Sequence, residues 1–106
     1  MGVEGGHDVR LVGSLLGTKV ALNELVGYAR MHELLADGGF EHLRSAQIAA
    51  YALCGFANFA SIGIQLGGLS ALAPERRGDL AALALRAMLG GALASWMTAT
   101  IAGAFL

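Results

Sequence analysis

A chain of 106 residues that is 56% hydrophobic and only 14% charged is too apolar for an ordinary soluble domain, in which roughly a quarter of residues carry charge. Its net charge of -1 leaves no basic footprint for nucleic acid, and its single cysteine excludes an internal disulfide. No nucleophile–base–orienter set and no phosphate loop appears, which argues against an enzyme.

The first ten residues are polar and glycine-rich, without the basic and then apolar pattern of a signal peptide. Val9 to Arg30 reads as helix interrupted at Gly17-Thr18-Lys19. Its apolar stretches are too short to span a bilayer, so two short helices meeting at that polar turn would make a re-entrant hairpin. Within it Glu24 is a carboxylate in apolar surroundings, which needs a partner or a function. One reading is an ion pair with Lys19 across the turn; the other is a ligand. Asn23 fits the cap of the second short helix. Met31 to Arg44, with Glu33, Asp37 and Glu41 around Gly38-Gly39, reads as a helix end and loop.

Ser45 to Ala73 then runs for 29 residues without Asp, Glu, Lys, Arg or His, the pattern of a transmembrane helix that Ser45 would cap. Its middle holds Gly55, Asn58, Ser61 and Gly63. An amide and a hydroxyl at membrane depth must face protein or a water-filled cavity. Small, helix-weakening residues beside them mark a place where the helix opens its backbone, as at a transporter's binding site. Asn58 and Ser61 share a face if the backbone stays helical. Plainer readings are a helix–helix hydrogen bond for Asn58 and a bond to a carbonyl one turn back for Ser61. Phe56 and Phe59 read as packing residues, the commoner role of aromatics in a span, and Cys54 reads as a small buried apolar residue.

Pro74 to Asp79 is a polar turn in which Pro74 ends one helix and Asp79 caps the next. Leu80 to Leu106 is the second span, with Trp96 packed on protein at its middle and small residues paired for close helix contact. Arg76, Arg77 and Arg86 against Arg30 and Arg44 place the Pro74 turn on the cytoplasmic side. His7, His32 and His42 lack ligand spacing, so no metal site is expected.

The segment Gly13-Ser-Leu-Leu-Gly-Thr-Lys-Val-Ala-Leu-Asn-Glu-Leu-Val26 resembles the GTK…NEF signature of concentrative nucleoside transporters. Tyr51-Ala-Leu-Cys-Gly-Phe-Ala-Asn-Phe-Ala-Ser-Ile-Gly-Ile-Gln-Leu-Gly-Gly68 resembles their second signature, and Ala73-Pro-Glu-Arg-Arg77 and Thr98-Ala-Thr-Ile-Ala-Gly103 match their C-terminal end. The resemblance is collinear and covers nearly the whole chain. It implies an all-α membrane protein: a re-entrant helical hairpin over 9–30, then transmembrane helices over 45–73 and 80–106, the first partly unwound.

The implied activity is inward nucleoside symport with sodium or protons across the plasma membrane (the inner membrane of a bacterium), by a multi-pass homotrimer. In the family the carboxylate matching Glu24 bonds the ribose hydroxyls, and residues matching Phe56, Asn58 and Ser61 line the nucleoside site. A carboxylate accepts two hydroxyl bonds at once, which suits a vicinal diol. The coupling-ion site lies on the first hairpin and the helix after it, which this chain does not contain. Neither metal nor cofactor is therefore expected here, and the chain alone is expected to be inactive. Position 25 is Leu where the family has Phe, a change in packing behind the site. The alternative class is a small helical membrane protein with a structural or regulatory role in helix association. Glu24 and Asn58 weigh against it, since a purely structural helix pair would avoid their cost.

Overall fold

The computed structural model describes residues 1–106, and every regular element in it is helical. In order these are α1 (Gly6–Ala21), α2 (Glu24–Ala36), α3 (Leu43–Leu53), α4 (Phe59–Leu72) and α5 (Arg77–Phe105), with a 3₁₀ turn at Pro74–Arg76 leading into α5. The all-α expectation holds, and the break expected inside Ser45–Ala73 separates α3 from α4.

The first break lies later than the composition indicated. α1 runs straight through Gly17-Thr18-Lys19, where Thr18 Oγ1 donates 3.0 Å back to the Ser14 carbonyl and so stays within the helix. The chain turns instead at Leu22–Asn23. Asn23 adopts extended backbone, and its Oδ1 accepts the Val26 N–H at 2.9 Å, which starts α2. Ser45 does not cap α3 either: His42 is the N-cap residue, and Ser45 sits buried in the first turn. At the far turn Pro74 stands at the start of the 3₁₀ segment, where its missing N–H is no loss. Asp79 therefore falls inside the first turn of α5, not at its cap, and takes the Arg76 Nε–H at 2.7 Å on the surface.

The core is built around α3. Its small residues let neighbours approach from two sides: Ala46, Ala49 and Leu53 meet Val12, Leu15 and Met31 of α1 and α2, while Ile48 and Ala52 meet Ala99 of α5. Trp96 is half-buried against this second cluster, on protein as expected. α1 turns the stripe Asp8, Val12, Leu15 and Lys19 inward, at helical spacing, with a charged residue at each end. Beyond the core, α4 and the first half of α5 extend as an antiparallel arm, so the molecule is 51 Å long but only 18 Å across its thinnest dimension.

At 29 residues α5 is roughly 43 Å long, and with its 3₁₀ turn it is the one helix long and apolar enough to cross a membrane. The 14 residues of α4 are apolar but reach only about 21 Å.

Candidate functional site

The site is made by the interruption between α3 and α4. Cys54 leaves the helix with φ -60 and ψ 142, and Gly55 follows at φ 99. A side chain is disfavoured at that φ, and a Cβ there would also come within 2.9 Å of Ser95 Oγ. Ser95 Oγ donates 2.8 Å to the Cys54 carbonyl, one of the acceptors freed where α3 stops. Thr98 and Thr100 of the same helix bond only their own preceding turn, at Ala94 and Trp96.

Asn58 closes the interruption. Its backbone is extended, and its Oδ1 accepts the Ser61 N–H at 2.8 Å, which begins α4. The sequence-based pairing of Asn58 and Ser61 on one helical face is thus replaced by a cap bond, because the backbone at Asn58 is not helical. The amide's other end reaches out of its own helix: Nδ2 donates 3.0 Å to Glu24 Oε2. Asn58 is fully buried and Glu24 half-buried. Two helix N-termini, those of α2 and α4, consequently meet at one carboxylate, an arrangement that favours negative charge there.

The alternative ion pair is not formed: none of the chain's salt bridges includes Lys19 or Glu24. Lys19 is fully buried, and its Nζ makes no hydrogen bond.

Phe56, Asn58 and Ser61 line one groove of about 380 Å³ between α4 and α5, within the range of small-molecule sites. Gln65 and otherwise mainly apolar residues complete its wall. Glu24 is not on that wall and joins it through Asn58 alone. Phe56 is 73% exposed, a ring presented and not packed. Cys54 is also exposed, against the sequence-based expectation, because the extended backbone turns it out of the bundle. The groove therefore offers apolar walls, one aromatic face and, at one end, the Asn58 amide that holds Glu24 behind it. That lining suits a neutral ligand with an apolar body.

Tyr28 and Ser95 are the residues that sequence reasoning did not single out. Tyr28 Oη donates 2.8 Å to the Ala50 carbonyl, fixing α2 against the end of α3. The only sequence signal for Ser95 was a hydroxyl in an uncharged span, which Thr98 and Thr100 share.

A second polar cluster lies at the opposite end of α1. Asp8 is fully buried and accepts the N–H groups of Glu41 and His42, both at 2.9 Å, with His42 Nδ1 at 3.1 Å. Burial alone would push its carboxyl up; the backbone donors and the His42 ring outweigh this and hold it at about 2, below the ordinary 3.8. Asp8, Glu41 and His42 are close enough to share an ion, but both Asp8 oxygens are already engaged by the loop. Arg44 braces the same end, donating to the carbonyls of Gly2 and, at 2.6 Å, Gly103.

The model of the "Na+ dependent nucleoside transporter C-terminus" family matches residues 1–103. Solute carrier family 28 member 3 of Eptatretus stoutii is 47% identical over 91% of the chain, which spans 16% of that protein. The putative nucleoside permease NupX of Escherichia coli is 45% identical over the whole chain, which spans 25% of it. Among solved structures, CNTnw in an inward-facing substrate-bound state superposes with a TM-score of 0.81 at 42% identity, covering 87% of this chain and 22% of that one. The chain thus spans about a quarter or less of the length of these relatives.

Proposed function

This chain belongs to the concentrative nucleoside transporter family, corresponding to its C-terminal region, and we propose that it supplies the ribose-binding side of a nucleoside site in a cation-coupled symporter. The observation that carries this reading is the hydrogen bond between Asn58 Nδ2 and Glu24 Oε2. It joins two residues 34 apart in the chain, leaves the second carboxylate oxygen without a hydrogen bond, and ties Glu24 to Asn58, which lines the groove with Phe56 and Ser61. Glu24 accepts the vicinal hydroxyls of ribose, Asn58 orients Glu24 and completes the polar end, and Phe56 offers its face to the base.

The rest of the reading follows the family. α1 and α2 form a re-entrant hairpin, α3 and α4 one interrupted span, and α5 a second, in a plasma-membrane homotrimer driven by sodium or protons. The ion site and the opposing wall come from segments outside these 106 residues, so the chain by itself does not transport.

The test uses a chimera in which an upstream portion from a full-length relative is joined to this chain. Glu24→Gln should weaken uridine binding about tenfold or more, since a hydrogen bond to a charged group is worth about 1.5–3 kcal/mol against 0.5–1.5 for a neutral one. It should also flatten the preference for uridine over its dideoxy analogue, because a site built for hydroxyls leaves its carboxylate unpaired without them. An unchanged affinity ratio in Glu24→Gln would remove Glu24 from the ribose site. In the same transport assay, the 106-residue chain alone should give no gradient-driven uptake.

A further inference from the structure

Lys19 is the largest side chain withdrawn completely from the surface, yet its ammonium has neither hydrogen bond nor ion pair. It ends the inward stripe of α1, where that helix packs on α2 and α3. Room for it comes from Gly27: a Cβ there would stand 3.4 Å from Lys19 Cβ and 3.0 Å from Leu53 Cδ2. Gly27 lies three residues after Glu24, on the same face of α2. Lys19 thus enters the seam that holds the Glu24 carboxylate. The titratable groups around this seam are Glu24 and Tyr28 from α2 and Cys54 after α3, so Glu24 is its one carboxylate. A buried ammonium without a partner is among the most expensive arrangements a chain can keep.

We infer that Lys19 is a positioning residue for nucleoside binding, the counter-charge of Glu24 held back from contact with it. In low-dielectric surroundings a charge is felt well beyond hydrogen-bond reach. From its place in the seam Lys19 attracts the Glu24 carboxylate and keeps it aimed without occupying either oxygen. A lysine in direct contact would compete with the ribose diol. A neutral side chain would leave the carboxylate supported by Asn58 alone.

This inference rests on the reading of Glu24 as the ribose-binding carboxylate. Its test is a double-mutant cycle in the same full-length chimera, with uridine and its dideoxy analogue as probes and melting temperature measured alongside. Lys19→Met and Lys19→Gln should each weaken uridine binding about tenfold, whereas Lys19→Arg should hold it within about twofold. In a Glu24→Gln background, Lys19→Met should add less than about a twofold further loss, since the group it acts through is gone. Removing an unpaired buried charge should leave the melting temperature level or raise it.

Equal losses in both backgrounds would mean that Lys19 serves another partner and would overturn the inference, as would wild-type affinity in Lys19→Met and Lys19→Gln. A lowered melting temperature with an unchanged uridine-to-analogue ratio marks a structural lysine and overturns it too. If Glu24→Gln alone leaves affinity and ratio untouched, the ribose-site reading itself has failed, an outcome distinct from the other three.

Discussion

α3 after Arg44 and α4 are both short, apolar and free of charge, yet they have opposite fates. α3 buries Ser45, Ala46, Ile48, Ala49, Ala52 and Leu53, whereas α4 buries nothing along its 14 residues. The difference follows position and neither apolarity nor side-chain size: α3 lies among α1, α2 and α5, whereas α4 packs mainly on α5. The alanines of α3 meet neighbours on two sides, while Gly63, Gly67 and Gly68 of α4 face open space and Ile64, Leu69 and Leu72 point outward. Polar residues show the same inversion: Asp8, Lys19, Ser45 and Asn58 are among the most enclosed side chains of the molecule. In a bilayer, apolar surface gains little by leaving lipid for protein, whereas an unpartnered polar group must be enclosed. Enclosure in this chain therefore follows where helices meet and where polar groups need shelter, and apolarity alone does not foretell it.

The contrast can be broken most forcefully at Leu53. It is fully buried where α1, α2 and α3 meet, so Leu53→Ala should cost about 2–5 kcal/mol of stability through the cavity it leaves. Thermal unfolding in detergent would check this, and a loss below about 1 kcal/mol would mean that the packed body is as loose as the arm.

Asp8 should have a smaller effect, and one that depends on pH. Its folded carboxyl sits at about 2 against an ordinary 3.8. A depressed carboxyl stabilises above its unfolded value and ceases to do so as the proton binds. The tie between α1 and the loop at Glu41–His42 should therefore be intact above about pH 4 and lost as pH falls to about 2. Asp8→Asn should remove that slope from a plot of melting temperature against pH; an identical slope in both proteins would assign it to other carboxylates. The smallest effect belongs to the arm. Leu72→Ala, at a residue 84% exposed, should change stability by no more than about 0.5 kcal/mol.

Much of the architecture is legible locally. Asn23 announces α2 because an asparagine cap needs only its own next turn, and Gly55 with Asn58 announces the interruption for the same reason. Pro74 ends α4 by lacking an N–H. What composition misplaces is the first turn, since Thr18 in the middle of Gly17-Thr18-Lys19 satisfies its hydroxyl within the helix and lets it continue. Ser45 and Asp79 have the right chemistry for caps but lie a turn too far along.

The site was only half legible. Asn58 and Glu24 stand out as costly polar residues, but their bond spans 34 positions and depends on how α2 lies against the end of α3. The same holds for Ser95 with Cys54, at 41 positions, and for Asp8 with its loop, at 33 and 34. Sequence reasoning offered Lys19 to Glu24 because they are neighbours in the chain, and the fold gave Glu24 to Asn58.

The five residues Cys54 to Asn58 have a mechanical consequence. At one end the Cys54 carbonyl is tied to α5 through Ser95, and at the other the Asn58 amide is tied to α2 through Glu24. The segment is thus a short bridge with each abutment on a different helix. While both ties hold, any sliding of α5 past α2 has to be taken up by rotation at Gly55, Phe56 and Ala57. The largest torsional freedom along that bridge belongs to Gly55, and the ring carried to a new position by such a rotation is that of Phe56.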